Sequence, residues 1–182
     1  MIVSVETNFN LYGWAESQGN RMTDEHSQSG PGPILRLESF LPYRLSVLSN
    51  RVSAAIAQDY AERFDMTVPE WRTMAALGEH PGLSAAEVAG FTEMDKVAVS
   101  RAVARLLEAG RLTRTTASDD RRRSVLKLSA AGQRVYRQIV PVARAHEANL
   151  VAALGAEERR QLDKLLDKLF AAATADLKRG KR

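Results

Sequence analysis

The stretch from Ser84 to Leu128 constrains the fold most. Ser84 followed three residues later by Glu87 is a capping box, in which a hydroxyl and a carboxylate satisfy the free backbone donors at the start of a helix. The short helix that it opens runs through Val88 and Ala89, and a turn containing Gly90 follows. A second helix begins near Asp95, carries Val99, Val103, Leu106 and Leu107 on its inward face, and ends at Gly110, a residue suited to the left-handed position after a helix. Leu112–Thr116 and Ser124–Leu128 then alternate like strands on either side of the charged, turn-prone segment ASDDRRR. Two short helices across a tight turn, with a hairpin behind them, make a helix-turn-helix followed by a wing.

The flanking sequence reads as helix. From Glu38 to Phe64, Leu41, Leu45, Leu48, Val52, Ile56, Tyr60 and Phe64 recur every three or four residues, with Ser39 expected as the cap and Pro42 in the first turn. A turn is expected at residues 65–68, after which Pro69 opens a helix with Trp71, Met74, Ala75 and Leu77 inward, stopped at His80-Pro81-Gly82. Ser129 caps a further helix carrying Val135, Ile139, Val142, His146 and Leu150, which Pro141 is expected to kink. After Gly155 the last helix bears a stripe of Leu162, Leu165, Leu166, Leu169 and Phe170. The expected class is mainly α with a small β-hairpin wing. A winged helix-turn-helix at residues 65–128 joins a helical dimerisation region at residues 36–64 and 129–177, because these long apolar stripes exceed what a small winged core can cover. Residues 1–35, rich in Gly, Ser, Gln and Pro at Ser27–Pro33, read as a flexible tail, with Met22 a possible alternative start.

Composition removes whole classes of function. The 182 residues hold no cysteine, which excludes disulfides, thiolate metal sites and cysteine nucleophiles. His26, His80 and His146 are far apart, so no metal is expected, and no cofactor. No Gly-rich phosphate loop, GxSxG element or histidine-supported nucleophile is present, and the acids are scattered, so an enzyme is not expected. There is no 18-residue apolar run and no secretory pattern at the start, and the expected location is the cytoplasm.

The net charge of +4 is unevenly placed. Phe91 to Leu128 holds nine basic and five acidic residues, and the rest of the chain is balanced. A local positive field suits a polyanion docking at one place, although a solvated basic face has the same composition. On the helix after Asp95, the inward positions leave Lys96, Val97, Ala98, Ser100, Arg101 and Arg105 outward or at the margins. Lys96 and Arg101 can donate to guanine O6 and N7, and Val97 or Ala98 can touch a thymine methyl. Arg105, deeper along the helix, is placed to meet a phosphate or an internal carboxylate. Ser84 at the start of the preceding helix joins this candidate set. At the wing tip, Asp120 can hold Arg122 rigid beside Arg121 and Arg123, an arrangement suited to a narrow minor groove.

From Glu38 to about Ala173 the chain resembles the MarR family of bacterial transcription regulators. The residues DKVAVSRAVARLLEAGRLTRTT and DDRRRSVLKLSAAG resemble the family's recognition helix, wing and following helix in order and spacing, and its Asp-x-Arg wing element falls on Asp120 and Arg122. The resemblance implies a homodimer on a pseudo-palindromic double-stranded DNA operator, acting most often as a repressor. It also implies release by a small effector, such as an aromatic acid or its CoA thioester. Peroxide-sensing members use a cysteine, which this chain lacks. The family's effector pocket lies between the dimerisation helices and the DNA-binding lobe, where this sequence offers Tyr43, Arg44, Trp71 and His146, although a Trp or His on such an inward helix face is more often plain core. The alternatives are an effector-independent architectural DNA-binding protein of low sequence specificity and a protein-interaction module.

Overall fold

The computed structural model describes residues 34–116 and 124–179. Residues 34–36 belong with the preceding segment, and Leu37–Arg182 forms a unit of its own. That unit begins with a 3-10 turn at Leu37–Ser39 and runs α1 (Leu41–Phe64), α2 (Val68–Glu79), α3 (Ala85–Thr92), α4 (Lys96–Glu108), β1 (Leu112–Thr116), β2 (Ser124–Leu128), α5 (Ala130–Val151) and α6 (Ala156–Arg179). The expected class of mainly helical chain with one hairpin is observed.

Local chemistry explains most boundaries. Ser84 Oγ accepts from the Glu87 N–H at 3.2 Å and the Glu87 carboxylate accepts from the Ser84 N–H at 2.7 Å, completing the expected box at α3. Ser129 caps α5 by accepting from the Gly132 N–H at 3.0 Å. Gly110 has φ of 65°, the left-handed conformation that ends α4.

Several expectations are corrected. Ser39 is not the cap of α1: it lies in the 3-10 turn, Phe40 takes the cap position without a side-chain bond, and Pro42 in the first turn removes one donor that would need a partner. Gly90 is not in the turn between α3 and α4. Helix α3 continues through it, since the burial of Val88 and Ala89 outweighs the roughly 1 kcal/mol that glycine costs a helix, and Glu93 makes the turn at φ 52°. Helix α2 begins at Val68 rather than at Pro69, because Thr67 and Glu70 form a second capping box. Helix α5 holds Pro141 at the expected place within it. Leu150, expected inward, is 47% exposed, since no described residue covers it fully at the last turn of α5.

The core lies in the centre of the chain. Met74 and Leu77 of α2, Val88 of α3, Val99, Val103 and Leu106 of α4, Leu126 of β2 and Ile139 of α5 are all buried. Tyr60, near the end of α1, closes it on one side, and its ring stands 5.9 Å from Trp71, which stands 5.9 Å from Tyr136. The antiparallel hairpin pairs Leu112 with Leu128 and Thr116 with Ser124. The loop before α3 adds to it: Gly82 N–H donates to the Leu126 carbonyl and Leu126 N–H to the Leu83 carbonyl, both at 2.9 Å. The remaining long helices are poorly covered. No described residue of α6 is buried, and Leu41, Leu45 and Leu48 of α1 are exposed.

Candidate nucleic-acid interface

Helix α4 is strongly two-sided. Val99, Ala102, Val103 and Leu106 are buried, at the three- and four-residue spacing of one helical face. Lys96, Val97, Ser100 and Arg101 are exposed on the other face, and Ala98 is half-buried at its margin. Val97 is 56% exposed, an unusual position for a branched aliphatic side chain unless something apolar meets it. Asp95 starts the helix, its carboxylate accepting from Val97 N–H at 2.8 Å and from Ala98 N–H at 3.1 Å. The acid satisfies two free donors and opposes the positive end of the helix dipole. Among the described residues, neither Lys96 nor Arg101 has an ion-pair partner, so both cations are available to an external anion.

Arg105 differs. Its Nε donates to Glu70 Oε1 at 2.9 Å, and its Nη2 lies 3.9 Å from Asp65 Oδ2. Of the two partners open to it on sequence grounds, it takes the internal carboxylate. The TVPE sequence at Thr67–Glu70 carries the signal of that site, a capping box that the reading from Pro69 passed over. Ser84 is half-buried at the start of α3, its hydroxyl oxygen engaged with the Glu87 N–H. Asp120, Arg121, Arg122 and Arg123 lie outside the described residues, between Thr116 and Ser124, the last pair of the hairpin.

The four residues considered for an effector do not converge within one chain. Tyr43 and Arg44 line a groove of about 430 Å³ along α1 together with Leu41, Leu45, Val47, Leu48 and Arg51. Trp71 packs between Tyr60 and Tyr136, and His146 contacts the Asp59 carboxylate across α1 and α5. Core and interhelix contacts therefore account for these two.

A profile of the MarR family matches residues 64–123. The HTH-type transcriptional repressor Rv2887 of Mycobacterium tuberculosis is 30% identical over 131 residues, which cover 71% of this chain and 91% of the relative. The chain belongs to the MarR family of transcriptional regulators. A MarR/EmrR family transcriptional regulator from Acinetobacter sp. ADP1 superposes with a TM-score of 0.71 at 25% identity, over 78% of this chain and 99% of that one. MepR of S. aureus, solved as a DNA complex, shares the fold with a TM-score of 0.67 at 22% identity, over 75% and 98% of the two chains. In this MarR-family chain, α3 and α4 are the helix-turn-helix and β1 and β2 the wing. Among the described residues no helix is long and apolar enough to cross a membrane, and no cluster of three or more His, Asp or Glu could hold a metal ion.

Proposed function

We propose that this chain is a ligand-responsive repressor that binds a pseudo-palindromic operator as a homodimer. The observation that carries the reading is the exposed face of a capped, well-packed α4, on which Lys96 and Arg101 have no ion-pair partner among the described residues. A helix set in the major groove reads bases with its N-terminal residues, which here are Lys96, Val97, Ala98, Ser100 and Arg101. Ser84, at the start of α3, contacts a phosphate, and Asp120, Arg121, Arg122 and Arg123, which lie outside the described residues, complete the DNA-binding set. Residues 65–128 form the reading lobe. Residues 36–64 and 129–177 form the dimer, since the apolar stripe of Leu162, Leu165, Leu169 and Phe170 on α6 stays exposed among the described residues. Two lobes related by a twofold axis meet half-sites about 34 Å apart.

The effector is a small aromatic acid or its thioester, held in the groove along α1. That groove has apolar walls in Leu41, Leu45 and Leu48, one aromatic ring in Tyr43, and cationic donors in Arg44 and Arg51. Binding there favours a dimer whose reading helices no longer match the half-site separation, through its different affinity for the two arrangements.

The test is a titration of duplex DNA from the protein's own promoter region across several salt concentrations. A steep fall of affinity with salt and protection of one defined palindrome are expected. A flat salt response overturns the reading, and uniform protection favours an architectural coating protein. Thermal shift against aryl carboxylates and their CoA thioesters, repeated with Arg44→Ala, tests the effector groove.

A further inference from the structure

The C-terminal part of α4, one turn beyond Arg101, is tied to the bend between α1 and α2. Arg105 reaches Glu70, and Arg111, just beyond α4, donates from its guanidinium to the carbonyl of Phe64, the last residue of α1. These side chains border a small cavity of about 210 Å³ with Asp65 and Glu108. Asp65 itself turns the chain in the left-handed conformation, φ 47°, so α1 stops abruptly where the arginines grip it. The backbone of Arg111 is held as well: its carbonyl accepts from Ser129 N–H at 3.0 Å at the start of α5.

Glu70 is the informative member. It is only 2% exposed, and its carboxylate accepts from the Thr67 N–H at 2.6 Å and the Thr67 hydroxyl at 2.9 Å as well as from Arg105. A glutamine closes a capping box as a glutamate does, so starting α2 requires no charge at this position. Burying a carboxylate is costly, and an ion pair of this kind contributes little net stability; where it has a use, that use is to select one arrangement of the elements that it joins. The arrangement selected here is that of α4 against the α1–α2 bend.

We propose that the Glu70–Arg105 pair, with the Arg111–Phe64 hydrogen bond beside it, is a positioning device that sets the angle of the reading helix relative to α1. In a dimer built on α1 and α6 that angle fixes the separation of the two reading helices, and so the spacing between half-sites that the protein accepts. Arg105 then acts through Glu70 and touches no phosphate. The proposal rests on the reading of α4 given above.

The experiment uses the full chain and a labelled duplex carrying the site that it selects from a random-sequence library. Companion duplexes have the spacer between half-sites lengthened or shortened by one base pair. Glu70→Gln keeps the capping box and removes the charge; Arg105→Ala alters a side chain that is 54% exposed, so both variants are expected to fold, as far-UV circular dichroism checks. Each is expected to weaken binding to the selected site by about tenfold and to flatten the discrimination among spacers. The double variant is expected to be no worse than either single, since paired residues do not act additively. Arg105→Lys, which keeps the charge pair, restores discrimination. The salt dependence stays that of the wild type throughout. If Arg105→Ala instead lowers the salt slope by about one while Glu70→Gln binds as the wild type does, Arg105 is a phosphate contact and the proposal is overturned. Unchanged spacer discrimination in both variants overturns it alone. A chain that selects no site overturns the reading of α4 and this proposal together.

Discussion

Gly132, in the first turn of α5, lies against the backbone of Arg111 so closely that a β-carbon built on it would stand 2.0 Å from the Arg111 carbonyl oxygen. That oxygen is already the acceptor for the Ser129 N–H, and the Ser129 hydroxyl donates to the Gly110 carbonyl at 2.6 Å. The segment after α4 and the start of α5 are thus held together by these bonds, and what a β-carbon on Gly132 would meet is backbone rather than a side chain that can give way.

Gly132→Ala is therefore expected to destabilise the protein. Alanine gains about 1 kcal/mol of helix propensity, whereas displacing backbone to relieve overpacking costs about 1–3 kcal/mol or more. The clash wins. A melting temperature several degrees below that of the wild type checks this. Gly78→Ala, whose β-carbon would stand 2.6 Å from the Tyr136 ring, is expected to cost less, because a ring at the end of a side chain can swing.

Tyr60 makes the stability sensitive to alkali. Burial raises the pKa of its phenol above the ordinary 10.0; Arg72 opposes that shift and Glu70 adds to it. The folded chain then keeps a proton that the unfolded chain loses, so the full stability is present below pH 10 and declines as the pH rises above it. The decline attributable to this group has a slope of up to about 1.4 kcal/mol per pH unit. Denaturant melts of the wild type and Tyr60→Phe on either side of pH 10 check it, the variant being expected to lose less stability over that window.

The uncovered stripe of α6 predicts a specific failure of assembly. Leu165 and Leu169 are 56% and 39% exposed within the chain. Replacing both by glutamate is expected to leave the winged lobe folded and to yield a monomer in sedimentation. A stable dimer in the double variant would remove α6 from the interface.

Asp95 supports the reading helix from beneath. Asp95→Ala leaves Val97 N–H and Ala98 N–H without their acceptor, at a cost of about 1 kcal/mol, and is expected to fray the turn carrying Lys96 and Val97. Asp95→Asn retains an acceptor and is expected to recover most of the loss. Thermal melts and DNA titration of the two variants together separate capping from charge.

The helices and hairpin were legible because their signals are local. Ser84, Glu87, Asp95, Gly110 and Ser129 act within a few residues of themselves, and both strands fall where alternation placed them. The exceptions are instructive. Gly90 carries a local signal against helix and Ser39 one for a cap, yet Gly90 lies inside α3 and Ser39 in the 3-10 turn, since a propensity of about 1 kcal/mol yields to the packing around it. The exposed face of α4 was equally readable, because it is the complement of a buried face at helical spacing.

By itself the sequence determined the succession of elements, the two faces of α4 and the concentration of positive charge in the winged segment. Each of these depends on spacing along the chain. Only the tertiary structure decided that Arg105 turns inward to Glu70, that Trp71 lies between two tyrosines, and that His146 meets Asp59. A cation's partner depends on which distant carboxylate the packing brings within reach, and periodicity along the chain does not encode that distance.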